Sequence, residues 1–105
     1  VLASGSGKTT SLVNYASKAK EIGAAVALIT AYPDSPVGRQ ADKVVRIPAS
    51  SVKVESAGSG IPSAQPMANL FEQSLALLLD ICTMQLMKAL SKTGEQMFAR
   101  HANLE

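Results

Sequence analysis

The chain has 105 residues, 47% of them hydrophobic and 17% charged, a balance that suits one folded domain, or part of one, and argues against a disordered segment. A net charge of +2, with Lys8, Lys18, Lys20, Lys43, Lys53 and Lys92 scattered and 4% aromatic residues, argues against a nucleic-acid interface. The single cysteine, Cys82, cannot form an internal disulfide and suits a reducing, cytoplasmic setting, while one histidine without nearby acidic residues argues against a metal site.

Val1-Leu2-Ala3 reads as the second half of a strand. The chain is therefore expected to be the C-terminal part of a longer protein, an artificial boundary being the alternative. The strand runs into Ser4-Gly5-Ser6-Gly7-Lys8-Thr9, where Gly5 and Gly7 permit a sharp turn and the following helix start points backbone N–H groups and its positive dipole end at an anion. Ser4, Ser6 and Thr9 add hydroxyl donors. Gly7-Lys8-Thr9 looks like the end of a Walker A motif, but GxxxxGK[ST] needs a glycine where Leu2 stands. The shorter turn suits one phosphate group; a plain Gly/Ser-rich strand-to-helix turn is the other reading.

Helical spacing of Leu12, Val13, Ala16, Ala19 and Ile22 predicts a helix over 9–22, with Gly23 as C-cap. The apolar, partly β-branched run 24–30 predicts a strand covered on both faces. Tyr32-Pro33-Asp34-Ser35-Pro36 predicts a turn in which Ser35 caps a short helix starting at Pro36, and 43–47 predicts another strand. Strands alternating with helices imply an α/β fold with a parallel sheet, whose ligands bind beyond the carboxyl ends of the strands, where residues 4–9 lie. Residues 48–65, rich in Ser, Gly and Pro, predict a long loop.

A long apolar helix is predicted from 66 to about 90, wide enough in its apolar face to be buried on more than one side, part of it against another subunit. Its most apolar run, 75–79, ends at Asp80, short of the roughly 20 residues of a membrane span, so no membrane partner is expected. Thr93 and Gln96 are spaced as a capping box before a last short helical segment.

Four ordered blocks span nearly the whole chain: the SGSGKT turn; Ile29-Thr30 with Pro33-Asp34-Ser35-Pro36; Gln65-Pro66-Met67 with Leu70-Phe71-Glu72-Gln73; and Met97-Phe98 with Arg100-His101-Ala102-Asn103-Leu104-Glu105. Together they resemble the 6-phospho-3-hexuloisomerase family of SIS (sugar isomerase) domains. The resemblance implies a parallel sheet flanked by helices, a flavodoxin-like three-layer sandwich, of which residues 1–105 are a partial domain with C-terminal helices from about 66 onward. The family's N-terminal portion has no counterpart here. It also implies a cytoplasmic homo-tetramer with active sites between subunits, a sugar phosphate as ligand and no cofactor.

The implied reaction converts 3-hexulose 6-phosphate to fructose 6-phosphate through an enediol, in either formaldehyde assimilation by the ribulose monophosphate route or pentose supply. A non-catalytic SIS module that binds sugar phosphates for regulation is the alternative. Glu72 is the candidate general base, because partial desolvation beside Phe71 would strengthen it as a base; a solvated glutamate complementing the helix dipole is its other reading. His101 is the candidate for moving protons between the two oxygens, or else a surface histidine. Ser4, Gly5, Ser6, Gly7 and Thr9 are expected to hold the phosphate, with Gln65 and Gln73 as weaker hydroxyl contacts.

Overall fold

The computed structural model describes residues 1–49, 61 and 63–101. They form two compact units, Val1–Leu75 and Ala76–Glu105.

The first unit is built on three strands, β1 (Leu2–Ala3), β2 (Ala27–Thr30) and β3 (Lys43–Arg46), in the order β1-β2-β3 with every pair parallel. Leu2 and Ala3 stand opposite Leu28 and Ile29, and 27–30 stand opposite 43–46. Parallel neighbours need a crossover, and helix α1 (Thr10–Glu21) provides the one between β1 and β2. Its apolar stripe packs onto the sheet, where Ala16, Val26, Leu28 and Val37 form a buried cluster, with Leu2, Leu12, Val13, Ala19 and Ala41 around it. Leu28 and Ala16 are fully buried, so β2 is the centre of the unit.

Helix α1 closes as the sequence predicts. Gly23 follows it at φ +77°, with its N–H donating to the Lys20 carbonyl, and Ala24 donates to the Ala19 carbonyl. Those bonds hold 24 and 25 in the helix exit, so β2 begins at Ala27 and is shorter than the apolar run suggested. The expected short helix starts later than Pro36: it is a 3₁₀ segment, Gly38–Gln40, with Val37 as its N-cap and no side-chain cap, and the Ser35 hydroxyl instead accepts from the Gly38 N–H at 3.2 Å in the turn before it. β3 ends at Arg46, one residue before the predicted end. All four of its residues are exposed, as befits an edge strand.

Asp42 ties the edge to the centre. One carboxylate oxygen accepts from the Val26 N–H at 2.7 Å and the other pairs with the Lys20 ammonium, while the Asp42 N–H donates to the Val26 carbonyl. The hydrogen bond from Lys20, then that from Val26, lowers the Asp42 pKa below the ordinary Asp value. A carboxyl whose pKa is depressed by folding stabilises the fold above its unfolded pKa, and that contribution is lost as pH falls through the folded value. The melting temperature of Asp42→Asn is accordingly expected to fall less steeply than that of the parent from about pH 4 downward. Equal slopes for the two proteins in thermal melts across that range would show that the pair contributes nothing.

Of the predicted loop, residues 50–60 and 62 lie outside the described residues. Ala49 and Ile61 form an isolated parallel bridge, with the Ile61 N–H donating to the Pro48 carbonyl at 2.8 Å. Helix α2 (Asn69–Ala89) starts three residues later than predicted. Met67, at φ +56°, and the Asn69 N–H on the Pro66 carbonyl make 66–69 a turn that the helix cannot absorb.

Within this chain α2 is buried at one residue only, and its expected burial against another subunit concerns a surface that one chain does not contain. Phe71 is its one buried residue, and Leu77, Leu79, Ile81, Met84 and Leu86 are exposed. An 18-residue window of this helix has a mean hydropathy of 1.3, a stretch longer than the 75–79 run taken from the sequence, and by length and composition alone the helix could cross a membrane. Asp80 near its middle would cost about 2.5–3.5 kcal/mol at a bilayer centre, and Glu72 and Lys88 stand nearer its two ends.

In the second unit α2 ends before Ser91 at φ +50°, and helix α3 (Gly94–Phe98) follows. Its capping box is the predicted one: the Thr93 hydroxyl accepts from the Gln96 N–H, and the Gln96 side chain accepts from the Thr93 N–H. Two backbone donors at that helix start are satisfied reciprocally.

Candidate active site at the carboxyl end of the sheet

β1 continues for one residue beyond its strand geometry, with the Ser4 N–H donating to the Ile29 carbonyl at 3.0 Å, and there the chain turns. The Gly7 N–H folds back onto both the Ser4 hydroxyl, at 3.0 Å, and the Ser4 carbonyl, at 3.2 Å. Gly7 takes φ +61° to do so, and a Cβ there would fall inside the Ser35 hydroxyl and its carbon. The Lys8 N–H donates to the Ser6 hydroxyl at 3.3 Å. Residues 4–8 are thus a closed turn held by their own hydroxyls.

Thr9 occupies the N-cap of α1 but does not cap it. Its side chain makes no hydrogen bond to the helix start and lies instead 3.4 Å from the Ser4 hydroxyl. An α-helix leaves its first N–H groups without intrahelical acceptors, and a capping side chain normally takes one of them. Here no side chain does, and no acidic residue stands in the first turn of α1. The combination favours an anion at this position.

A second loop holds the turn from below. The Gly5 carbonyl accepts from the Ala31 N–H at 3.2 Å and from the Thr30 hydroxyl at 3.3 Å, and the Gly7 carbonyl accepts from the Val37 N–H at 3.2 Å. Thr30 and Ser35 are buried, with their hydroxyls bonded. Residues 30–37, read from the sequence as a strand end and a turn and overlapping one of the four ordered blocks, are the bed on which the 4–9 turn rests.

Above the turn lies a cavity of about 340 Å³, at the small end of ligand pockets. Ser4, Gly5, Ser6 and Thr9 line one side, and Met67 and Ala68 from the turn before α2 and Phe71, Glu72 and Leu75 from its start line the other, with Ala3 and Leu12 between. Four of the five residues expected to hold a phosphate therefore share a cavity with the candidate base. Gly7 is buried behind the turn, and its N–H is already engaged within it.

Glu72 faces the cavity, but it is exposed, so the desolvation expected from its apolar neighbours does not come from the burial of this residue. Phe71, adjacent to it, is the residue that the fold buries. Gln65 and Gln73 hydrogen-bond each other at 3.2 Å and are both exposed. His101 belongs to the second unit and is not among the cavity-lining residues; its ring stacks on Phe98, with centroids 6.3 Å apart. The apolar wall of Leu12, Met67 and Leu75 escaped the sequence reading, because Leu and Met at helical spacing look the same whether they face a core or a ligand.

The chain is similar to known proteins. The chain is 45% identical over its whole length to 3-hexulose-6-phosphate isomerase of Bacillus subtilis and 42% identical to the protein of the same name in Mycobacterium gastri, covering 56% and 51% of their lengths. It thus spans about half the length of these curated relatives. A crystal structure described as that of a hypothetical protein superposes with a TM-score of 0.76 at 28% identity, over 98% of this chain and 54% of the other. The SIS domain family matches residues 1–78, the stretch that carries the parallel sheet, the 4–9 turn and the cavity-lining start of α2, and the chain belongs to that family.

Proposed function

We propose that the protein containing this chain isomerises 3-hexulose 6-phosphate to fructose 6-phosphate. The observation that carries the reading is a single cavity with an uncapped helix start and three hydroxyl side chains on one side and a carboxylate on the other. The names of the relatives supply the substrate. Ser4, Ser6 and Thr9 and the α1 amides bind the 6-phosphate, Gly5 lets the backbone approach it, and Gly7 serves through its conformation. Binding of the remote phosphate fixes the reacting carbons against Glu72.

Attack of the 5-hydroxyl on a C3 carbonyl would close a four-membered ring, so the substrate presents an open chain and needs no ring opening. Glu72 takes the proton from C2, the electron pair forms the C2–C3 double bond, and the C3 oxygen gains a proton. The C2 hydroxyl then gives up its proton as the carbonyl forms at C2, and Glu72 returns a proton to C3. The step balances without oxidant or cofactor. His101 is assigned the transfer between the two oxygens. A homo-tetramer in the cytoplasm is part of the same proposal, and the exposed apolar face of α2 supports it as a surface that a soluble protein covers.

The full-length protein is expected to form fructose 6-phosphate from 3-hexulose 6-phosphate in a coupled assay. Absence of turnover, together with a melting temperature raised by fructose 6-phosphate, would replace this reading by a regulatory sugar-phosphate-binding module.

A further inference from the structure

We infer that Phe71 is a positioning residue for this reaction: its ring, seated on Gly5, sets the rotation and height of the start of α2, and with them the place of the Glu72 carboxylate. The inference rests on the reading of Glu72 as the base.

Phe71 is 3% exposed and is the one fully buried residue of α2, whose neighbouring Leu70, Ser74 and Leu75 are half-buried. A Cβ on Gly5 would stand 3.2 Å from Phe71 Cδ1 and 3.4 Å from Cγ, so the ring fills the space that glycine leaves. Gly5 itself is fixed by two hydrogen bonds to the end of β2, from the Ala31 N–H and the fully buried Thr30 hydroxyl. A contact chain therefore runs from the central strand through Gly5 to Phe71.

Successive residues on a helix are separated by about 100°, so a roll by one residue carries a side chain from the cavity to solvent. Glu72 follows Phe71 directly; its backbone N–H donates to the Ala68 carbonyl within the helix start, and its carboxylate has no hydrogen-bond partner among the described residues. Its azimuth is set by what holds its neighbour. The only other side-chain tie described for this first part of α2 to a preceding segment is the exposed Gln65–Gln73 pair. Gly5 thus has a second task besides admitting a phosphate: the absence of its Cβ lets the helix that carries the base come close to the turn that carries the phosphate.

The test is steady-state kinetics of the full-length protein with Phe71→Leu, Phe71→Ala, Gly5→Ala and the double variant Gly5→Ala/Phe71→Leu, alongside inhibition by inorganic phosphate. A base displaced by about 1 Å loses on the order of 100-fold in rate, so kcat is expected to fall about 10-fold in Phe71→Leu and up to about 100-fold in Phe71→Ala. KM and the phosphate inhibition constant of the Phe71 variants should stay within about 3-fold, because the turn is held from β2 rather than from α2. Gly5→Ala should lower kcat by pressing on the ring, and the smaller leucine should recover part of that loss, a non-additivity that a merely local structural defect would not produce.

Wild-type kcat in Phe71→Leu, or losses that simply multiply in the double variant, would overturn the inference. Should Phe71→Ala fail to fold, the leucine variants carry the test alone. Glu72→Gln in the same series separates the two claims. Full activity there removes the base reading, whereas an inactive Glu72→Gln beside a normal Phe71→Leu removes only the positioning role.

Discussion

Glu72→Gln is expected to abolish isomerisation while leaving sugar-phosphate binding in place. The amide keeps the shape of the side chain and cannot accept the C2 proton, so the loss is that of general-base catalysis, about 10²- to 10⁴-fold in kcat. Binding should survive because the phosphate turn and Glu72 lie on opposite sides of the cavity and share no hydrogen bond among the described residues. The pair of measurements is turnover followed as fructose 6-phosphate formation, and the rise in melting temperature with fructose 6-phosphate. A kcat within several-fold of the parent would reassign Glu72 to the helix dipole, the other role open to a glutamate in a first turn. Loss of both turnover and stabilisation would mean that the carboxylate holds the sugar rather than deprotonating it.

Gly7→Ala is expected to damage the site by breaking the turn itself. An alanine at φ +61° costs about 1–2 kcal/mol in backbone strain. Its methyl would also overlap the Ser35 side chain, which is buried and bonded to the Gly38 N–H and cannot step aside without losing that bond. Overpacking of this kind costs about 1–3 kcal/mol more, for a total of about 2–5 kcal/mol. In a protein about twice this chain's length that is a fall in melting temperature of roughly 5–20 °C. Fructose 6-phosphate should no longer stabilise the variant, since the Ser4 hydroxyl loses the Gly7 N–H that orients it. Adding Ser35→Gly removes the overlap but not the strain, so the double variant should regain only part of the stability. A Gly7→Ala protein that melts with its parent would show that the turn relaxes without cost.

The comparison of these two residues shows which parts of the site could be read from the residues alone. Gly7 stands in a run whose composition speaks for itself: small, hydroxyl-bearing residues between an apolar strand and a helix leave few conformations, most of which present N–H groups to an anion. Glu72 has no such local signature. A glutamate in the first turn of a helix suits the dipole whether or not a cavity lies beside it, and only the four ordered blocks of sequence raised it above that reading.

The elements themselves were largely local. The 3.6 period of α1, the Gly23 stop, the Ser35–Gly38 turn bond and the Thr93/Gln96 capping box each depend on bonds between residues five or fewer apart, so a linear reading reaches them. The misjudged boundaries were settled from outside the element. β2 loses 24 and 25 to the exit of α1, and α2 loses 66–68 to a turn in which Met67 takes a positive φ.

Burial was the least legible quantity. Composition predicts that α2 will hide its leucines, but which surface hides them depends on neighbours that the helix does not encode, and in this chain Phe71 is fully buried while Leu70, Leu75 and Leu78 are only half-buried.

By itself, then, the order of residues determined the parallel α/β frame and the place of the 4–9 turn at its carboxyl end, because both are written in short-range spacing and in residue type, whereas Glu72 and His101 were raised above their other readings only by the four ordered blocks. The tertiary structure alone decided that Thr9 leaves its helix uncapped, that Thr30 and Ser35 brace the turn, and that Glu72 shares a cavity with Ser4, Ser6 and Thr9. Those are contacts between residues up to about seventy positions apart, and they come from the pairing of β1 with β2 and the seating of Phe71 on Gly5.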